Sequence, residues 1–236
     1  MTGATPCTTN IATPGSHQDT HAGGFWEIND AYLVKFDSAG VRQWGTYFGD
    51  TSDDWAFAVC TDEEGNAYIT GDTRSEQGIS TPGSHQQVFG GYSDGLLAKF
   101  SGQGNLVWAT YYGGADEDDG YGVDCKGSTL YMGGLSMSTT GIATTGAYQT
   151  TMAGWQDAFL ARFDTSGVRQ WGTYYGGPEW ESNGYGSNNI SCDNNLNCYL
   201  STLSRSESGI VLPGAHQPKY GGDFQDLAIA KFDPNG

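Results

Sequence analysis

Basic residues are scarce in this chain: 10 Lys plus Arg stand against 27 Asp plus Glu, for a formal charge of −17 over 236 residues. A field of that sign repels phosphate backbones and anionic lipid, so nucleic acid and membrane surfaces are poor candidates as partners, while cationic ligands, metal ions and neutral glycans remain open. No apolar run approaches the roughly 20 residues that a spanning helix needs, so membrane insertion is excluded as well. Cysteine is sparse too. Cys7, Cys60, Cys125, Cys192 and Cys198 are too few to scaffold a chain of this length, and no C-x-x-C pair suggests a metal knuckle. No stretch carries a 3.6-residue apolar period over helical length. Met1 leads straight into the polar segment Thr2 to Asn10, so an export signal is expected to lie outside these residues. Catalytic signatures are missing: there is no G-x-S-x-G, no H-E-x-x-H and no phosphate-cradling loop.

What the chain has instead is glycine, aromatics and repetition. Glycine occupies 37 positions, more than twice the usual share of about 7%, and 13% of residues are aromatic. That mixture suits short strands joined by tight turns. Ile11-Ala-Thr-Pro-Gly-Ser-His-Gln18 returns at Ile79 to Gln86, at Ile142 to Gln149 and at Ile210 to Gln217, with spacings of 68, 63 and 68 residues. Asp30-Ala-Tyr-Leu-Val-Lys-Phe-Asp37 returns at Asp94 to Ser101, Asp157 to Asp164 and Asp226 to Asp233. Gln43-Trp-Gly-Thr-Tyr-Phe-Gly49 returns at Val107 to Gly113 and Gln170 to Gly176.

The repeat defines units 11–78, 79–141 and 142–209, a partial unit 210–236, and a remnant 1–10 of a preceding one. Each unit holds four strand candidates, near 56–60, 67–71, 30–36 and 43–48 and their counterparts. Asp62-Glu-Glu-Gly-Asn66 reads as a hairpin turn, with Gly65 and Asn66 suited to positive φ. Four antiparallel strands per unit, repeated, predict an all-β fold: a β-propeller of four-stranded blades. Thr2-Gly3 aligns with Thr70-Gly71 and Asp233 to Gly236 with Ser101 to Gly104, so 13 whole strands are expected. Propellers close with about 4–8 blades, so a partial propeller is expected, continued along the chain or completed by another copy.

Asp157 to Gly167, Trp171 to Gly177 and Asp62 to Gly71 resemble, piece by piece, the bacterial β-propeller repeat family named for seven-bladed propellers, the SBBP repeats. Lys126-Gly-Ser-Thr and Asp193-Asn-Asn-Leu-Asn depart from its Asp-x-x-Gly-Asn turn, so those hairpins are expected to differ. The resemblance implies large secreted or surface proteins of Gram-negative bacteria, often exported by a type IX system, with no defined chemistry.

Residues shared by every unit are accounted for by building a blade, which leaves unit-specific features as site candidates. The first unit is longer between His17 and Asp30 and carries Phe25 and Trp26 there; the third acidic loop carries Trp180. Loop aromatics fit glycan stacking or a protein hot spot, so Phe25, Trp26 and Trp180 are the candidate partner-binding residues. Asp116, Glu117, Asp118 and Asp119 offer oxygen ligands for calcium, although the alternating Asp spacing of a calcium loop is absent and solvated turn acids are the simpler account. No other cofactor is expected. Cys192 and Cys198 flank a five-residue turn and are expected to form a hairpin disulfide, with Cys60 and Cys125 reduced and buried in their blades. The sequence points to a non-catalytic extracellular binding or scaffold module at a bacterial surface, whose partner is a protein, a glycan or further blades. The alternatives are a carbohydrate-active propeller enzyme using a carboxylate pair and a purely structural spacer.

Overall fold

A computed structural model describes residues 1–23, 28–182 and 189–236. Among these residues the fold is all-β, without an α-helix. Strands β1 (Thr2–Thr5), β2 (Asp30–Phe36) and β3 (Arg42–Phe48) form the first sheet. The second holds β4 (Asp54–Thr61), β5 (Ala67–Thr73), β6 (Asp94–Phe100) and β7 (Leu106–Tyr112). The third holds β8 (Asp118–Lys126), β9 (Thr129–Ser136), β10 (Asp157–Asp164) and β11 (Arg169–Tyr175). In the fourth, β12 (Glu181–Ser182) and β13 (Ile190–Cys192) both pair with β14 (Cys198–Ser204), which pairs with β15 (Asp226–Phe232). Each sheet is an antiparallel meander in chain order, the arrangement of propeller blades, and the sheets do not close a ring. The sheets run half a unit out of step with the repeat: unit 11–78 contributes β2 and β3 to one sheet and β4 and β5 to the next.

Period-two alternation sends each strand's side chains into two different interfaces. In β6, Leu96, Ala98 and Phe100 pack toward the first sheet, while Leu97 packs toward the third. In β10, Phe159, Ala161 and Phe163 join Leu97 and Trp108, and Ala158 and Leu160 face the fourth sheet. One apolar core therefore fills each space between neighbouring sheets, as in other repeat arrays whose units cannot bury a face alone.

The repeated tryptophan clamps these spaces polarly as well. The indole N–H of Trp44, Trp108 and Trp171 donates to the carbonyl of Gly102, Thr165 and Pro234, each in the next sheet, at 3.1, 3.2 and 3.0 Å. Lys35, Lys99 and Arg162 donate to the same three carbonyls. The paired recurrence of Trp and a cation is thus one inter-sheet device. The Thr-Pro-Gly-Ser-His-Gln segments seal the outer strands. Thr13 and Gln18 bond Gly45 and Tyr47 of β3, and the pattern returns on β7 and β11. The His slot is an aromatic one, which explains its exchange for Tyr148: His85 packs between Tyr112 and Phe163, and Tyr148 between Tyr175 and Phe232.

The hairpin turns differ from expectation in detail. Gly65 has φ 80° as expected, but Asn66 does not take positive φ. Its amides instead bind the Asp62 carboxylate. Asp193 to Asn197 keeps this turn with Leu196 in the left-handed position, φ 64°. Lys126 to Thr129 is a tighter loop that leaves Gly127 at φ 57°.

Candidate functional site

β4, β6, β8, β10 and β15 all begin at one end of the sheets, and the acidic loops gather there. Some of these acids are structural. Asp54 accepts from the hydroxyls of Thr73 and Ser75 and from the Asp50 N–H; Asp118 accepts from Ser136, Ser138 and the Gly114 N–H. Glu181 repeats the pattern with Ser204, Ser206 and the Gly177 N–H. All three are fully buried, and burial raises their pKa values to about 7, 6 and 7. The carboxylates that begin β6 and β10 form a second set of anchors. Asp94 and Asp157 take the Gln86 and Gln149 side-chain amides and loop N–H groups. These acids hold loops to strands.

The calcium candidates are therefore not brought together, and the picture of solvated turn acids fails for two of them. Asp118 spends its oxygens on hydroxyls and an N–H, and half-buried Asp119 accepts from the Tyr121 hydroxyl at 3.1 Å. Asp116 points to solvent, and Glu117 lies in the bridge joining the second and third sheets. Among the described residues, no three His, Cys, Asp or Glu side chains are placed to hold a metal ion. Phe25 and Trp26 lie outside the described residues. Cys192 and Cys198 are direct cross-strand partners, the placement a hairpin disulfide requires, and the structure carries all five cysteines as thiols. Cys60 and Cys125 are also thiols, but both are only half-buried and pack against the core between the second and third sheets.

Trp180 is described, exposed, and part of a larger surface. Its backbone bridges Gln156, and its carbonyl accepts the Arg205 N–H at 3.0 Å. Gln156 follows Trp155, and the Arg205 guanidinium lies 4.0 Å from the centre of the Phe224 ring. These backbone links bring the segments carrying Trp155, Trp180 and Arg205 together at the seam of the third and fourth sheets, with Phe224 under the Arg205 guanidinium. Beside it lies a recess lined by Pro178, Glu179, Arg205, Glu207, Tyr220 and Phe224.

Trp155 and Phe224 also belong to a series that sequence reading missed. Tyr92, Trp155 and Phe224 each stand two residues before the first Asp of a third strand. They are 60%, 75% and 67% exposed. Arg74 sits over Tyr92 as Arg205 sits over Phe224, at 5.1 Å. The signal was an aromatic at a fixed offset, hidden because neighbouring loop residues vary. It inverts the rule that shared residues are scaffold, since packing does not explain a ring left in water three times over.

A second cluster lies where the innermost strands meet. β-Bulges at Phe57 and Tyr121 turn both rings out of their ladders, and they stack at 5.0 Å, with Trp55 stacked on Phe57 at 6.2 Å. Asp72 and Asp119 face this cluster. Burial raises Asp72 to about 8, helped by the charge of Asp119, and burial raises Asp119 to about 6.

No curated protein matches the chain. A family model described as a beta-propeller repeat, SBBP, matches residues 43–76, the stretch from β3 through β5. That match supports assignment to the repeat family, because the matched segments recur in register through the following sheets.

Proposed function

We propose that this chain is a non-catalytic binding module of an extracellular bacterial-surface propeller, and that its ligand is an extended neutral or amino-sugar glycan. The observation that carries the reading is the recurrence of an exposed ring, Tyr92, Trp155 and Phe224, at one end of three successive sheets. Rings at blade spacing suit a polymer with repeated apolar sugar faces, and Trp180 extends the row. Glu179, Glu207 and Asp223 beside them accept hydroxyl and ammonium donors, while the net charge of −17 disfavours anionic glycans. Titration with soluble neutral oligosaccharides checks this. Trp155→Ala and Trp180→Ala should each weaken binding by about 2 kcal/mol or more with melting nearly unchanged. Wild-type affinity retained by both variants would remove these rings from the binding site.

The enzymatic alternative rests on Asp72 and Asp119. At neutral pH, pKa values of about 8 and 6 leave one carboxyl protonated beside one ionised, as an acid–nucleophile pair needs. A hydrolysis screen separates the readings: turnover abolished by Asp72→Asn favours the enzyme, and binding without turnover favours the module.

A further inference from the structure

β3, β7 and β11 each lie in the same slot, between the preceding strand and an Ile-to-Gln segment of the repeat. Their register is constant. Trp44, Trp108 and Trp171 stand opposite Lys35, Lys99 and Arg162, and Thr46, Thr110 and Thr173 opposite Leu33, Leu97 and Leu160. The Tyr after each Thr donates its hydroxyl to the carbonyl of Cys7, Ser75 or Ser138. The glycine that follows the strand donates its N–H to Oε1 of Gln18, Gln86 or Gln149. Nε2 of each glutamine donates in turn to Asp30, Asp94 or Asp157.

The fourth sheet carries this frame along β15. Gln217 Nε2 donates to Asp226 at 3.1 Å, the pose in which the other glutamines present Oε1 to a strand. The Ile210 segment is seated like its counterparts, since its carbonyl accepts the Tyr175 hydroxyl as that of Ile142 accepts Tyr112. Between this segment and β15 runs a groove of about 660 Å³, lined by Ile210, Leu212, His216, Ala228 and Ile229 among others. Ile229 is 68% exposed, whereas Leu33, Leu97 and Leu160 at the same position are buried.

We propose that the groove beside β15 is a strand-binding site whose ligand is an extended segment of a separate polypeptide with the pattern Trp-Gly-Thr-Tyr-Tyr-Gly. It adds antiparallel to β15, with main-chain bonds supplying affinity and alternate side chains supplying specificity. The three occupied slots give the register. The ligand's Trp stands opposite Lys231 and its Thr opposite Ile229. Its first Tyr reaches the Ser206 carbonyl, and its closing glycine N–H reaches Gln217. One bond is not repeated, because Leu212 replaces the Thr whose hydroxyl binds each occupied strand.

The test titrates the full chain into a labelled peptide with the sequence of Arg169 to Gly177, and into a scrambled peptide of the same composition and charge. Saturable one-to-one binding is expected, about tenfold or more weaker for the scrambled peptide. Ile229→Lys should weaken binding by a similar factor with melting unchanged, since that side chain is exposed. The bound peptide should slow hydrogen exchange in β15 and across Ile210 to Gln217, but not in β6 or β10, whose neighbouring slots are filled. Absence of saturable binding, equal binding of the scrambled peptide, or protection confined to other strands overturns the site. Self-association that already protects β15 without peptide overturns it too, by making a second copy the occupant.

Discussion

Raising the pH from 5 to 9 is expected to lower the melting temperature of this protein by about 10 °C. Asp54, Asp94, Asp118 and Glu181 are fully buried and, chiefly through burial, titrate near 7, 7, 6 and 7; Asp72 and Asp119 titrate near 8 and 6. In the unfolded chain the same groups titrate near about 4. The folded state therefore binds more protons between about pH 4 and pH 8. Stability from these groups is fully present below their unfolded values and is lost as pH rises through their folded ones. His85 opposes them on the acid side, because burial holds it near 4. Its contribution is present above about 6.5 and is lost as pH falls toward 4. The carboxylates are more numerous, so stability falls with rising pH throughout this window and is greatest at its acid end, about pH 4. Self-repulsion of a chain with 27 acids and 10 bases acts in the same direction at high pH. Melting curves across this range check the sign, and Asp54→Asn, which resembles the protonated acid, should flatten the profile. A protein more stable at pH 9 than at pH 5 would contradict the burial of these carboxyls.

Much of the fold was legible because repetition acts as an internal alignment. Asp30, Asp94, Asp157 and Asp226 mark strand starts, and each begins a strand in the structure. What repetition did not reveal was where one sheet ends. Units counted from Ile11 straddle two sheets, because hydrogen bonding between β1 and β2, or β5 and β6, spans the long loop at which the units were divided. Burial was the other hidden quantity. Asp116 and Asp118 sit two residues apart, yet one points to water while the other is enclosed by Ser136 and Ser138. The Ser/Thr-x-Ser segment that encloses it, at Thr73, Ser136 and Ser204, is itself repeated, but its partner lies about 20 residues away and only the sheet brings them together. The binding face was legible at Trp180 and not at Tyr92, Trp155 or Phe224, because exposure is a tertiary property. An aromatic shared by every blade is most often core, and the ones at the Trp108 position are.

Trp108→Ala is expected to cost about 3–5 kcal/mol of stability, the range for deleting a buried aromatic ring. Trp108 is 8% exposed and packs with Tyr68 on one side of the space and Phe163 on the other. Its indole N–H also holds the Thr165 carbonyl, so the deletion opens a cavity and removes a bond between sheets. Trp108→Phe separates the two effects. It keeps most of the ring, while Lys99 remains to serve Thr165, and should cost about 1 kcal/mol for the lost hydrogen bond with a further share for lost volume. Trp44→Ala should cost less than Trp108→Ala, since Trp44 is only half-buried at the first interface. Denaturant melts of the three variants, with hydrogen exchange at β7 and β11, read the order of loss. Because neighbouring sheets share one core, protection should fall on both sides of the Trp108 space and not in β7 alone. A loss confined to β7, or equal costs for Trp44 and Trp108, would show that the repeated tryptophan stabilises its own sheet rather than the contact between sheets.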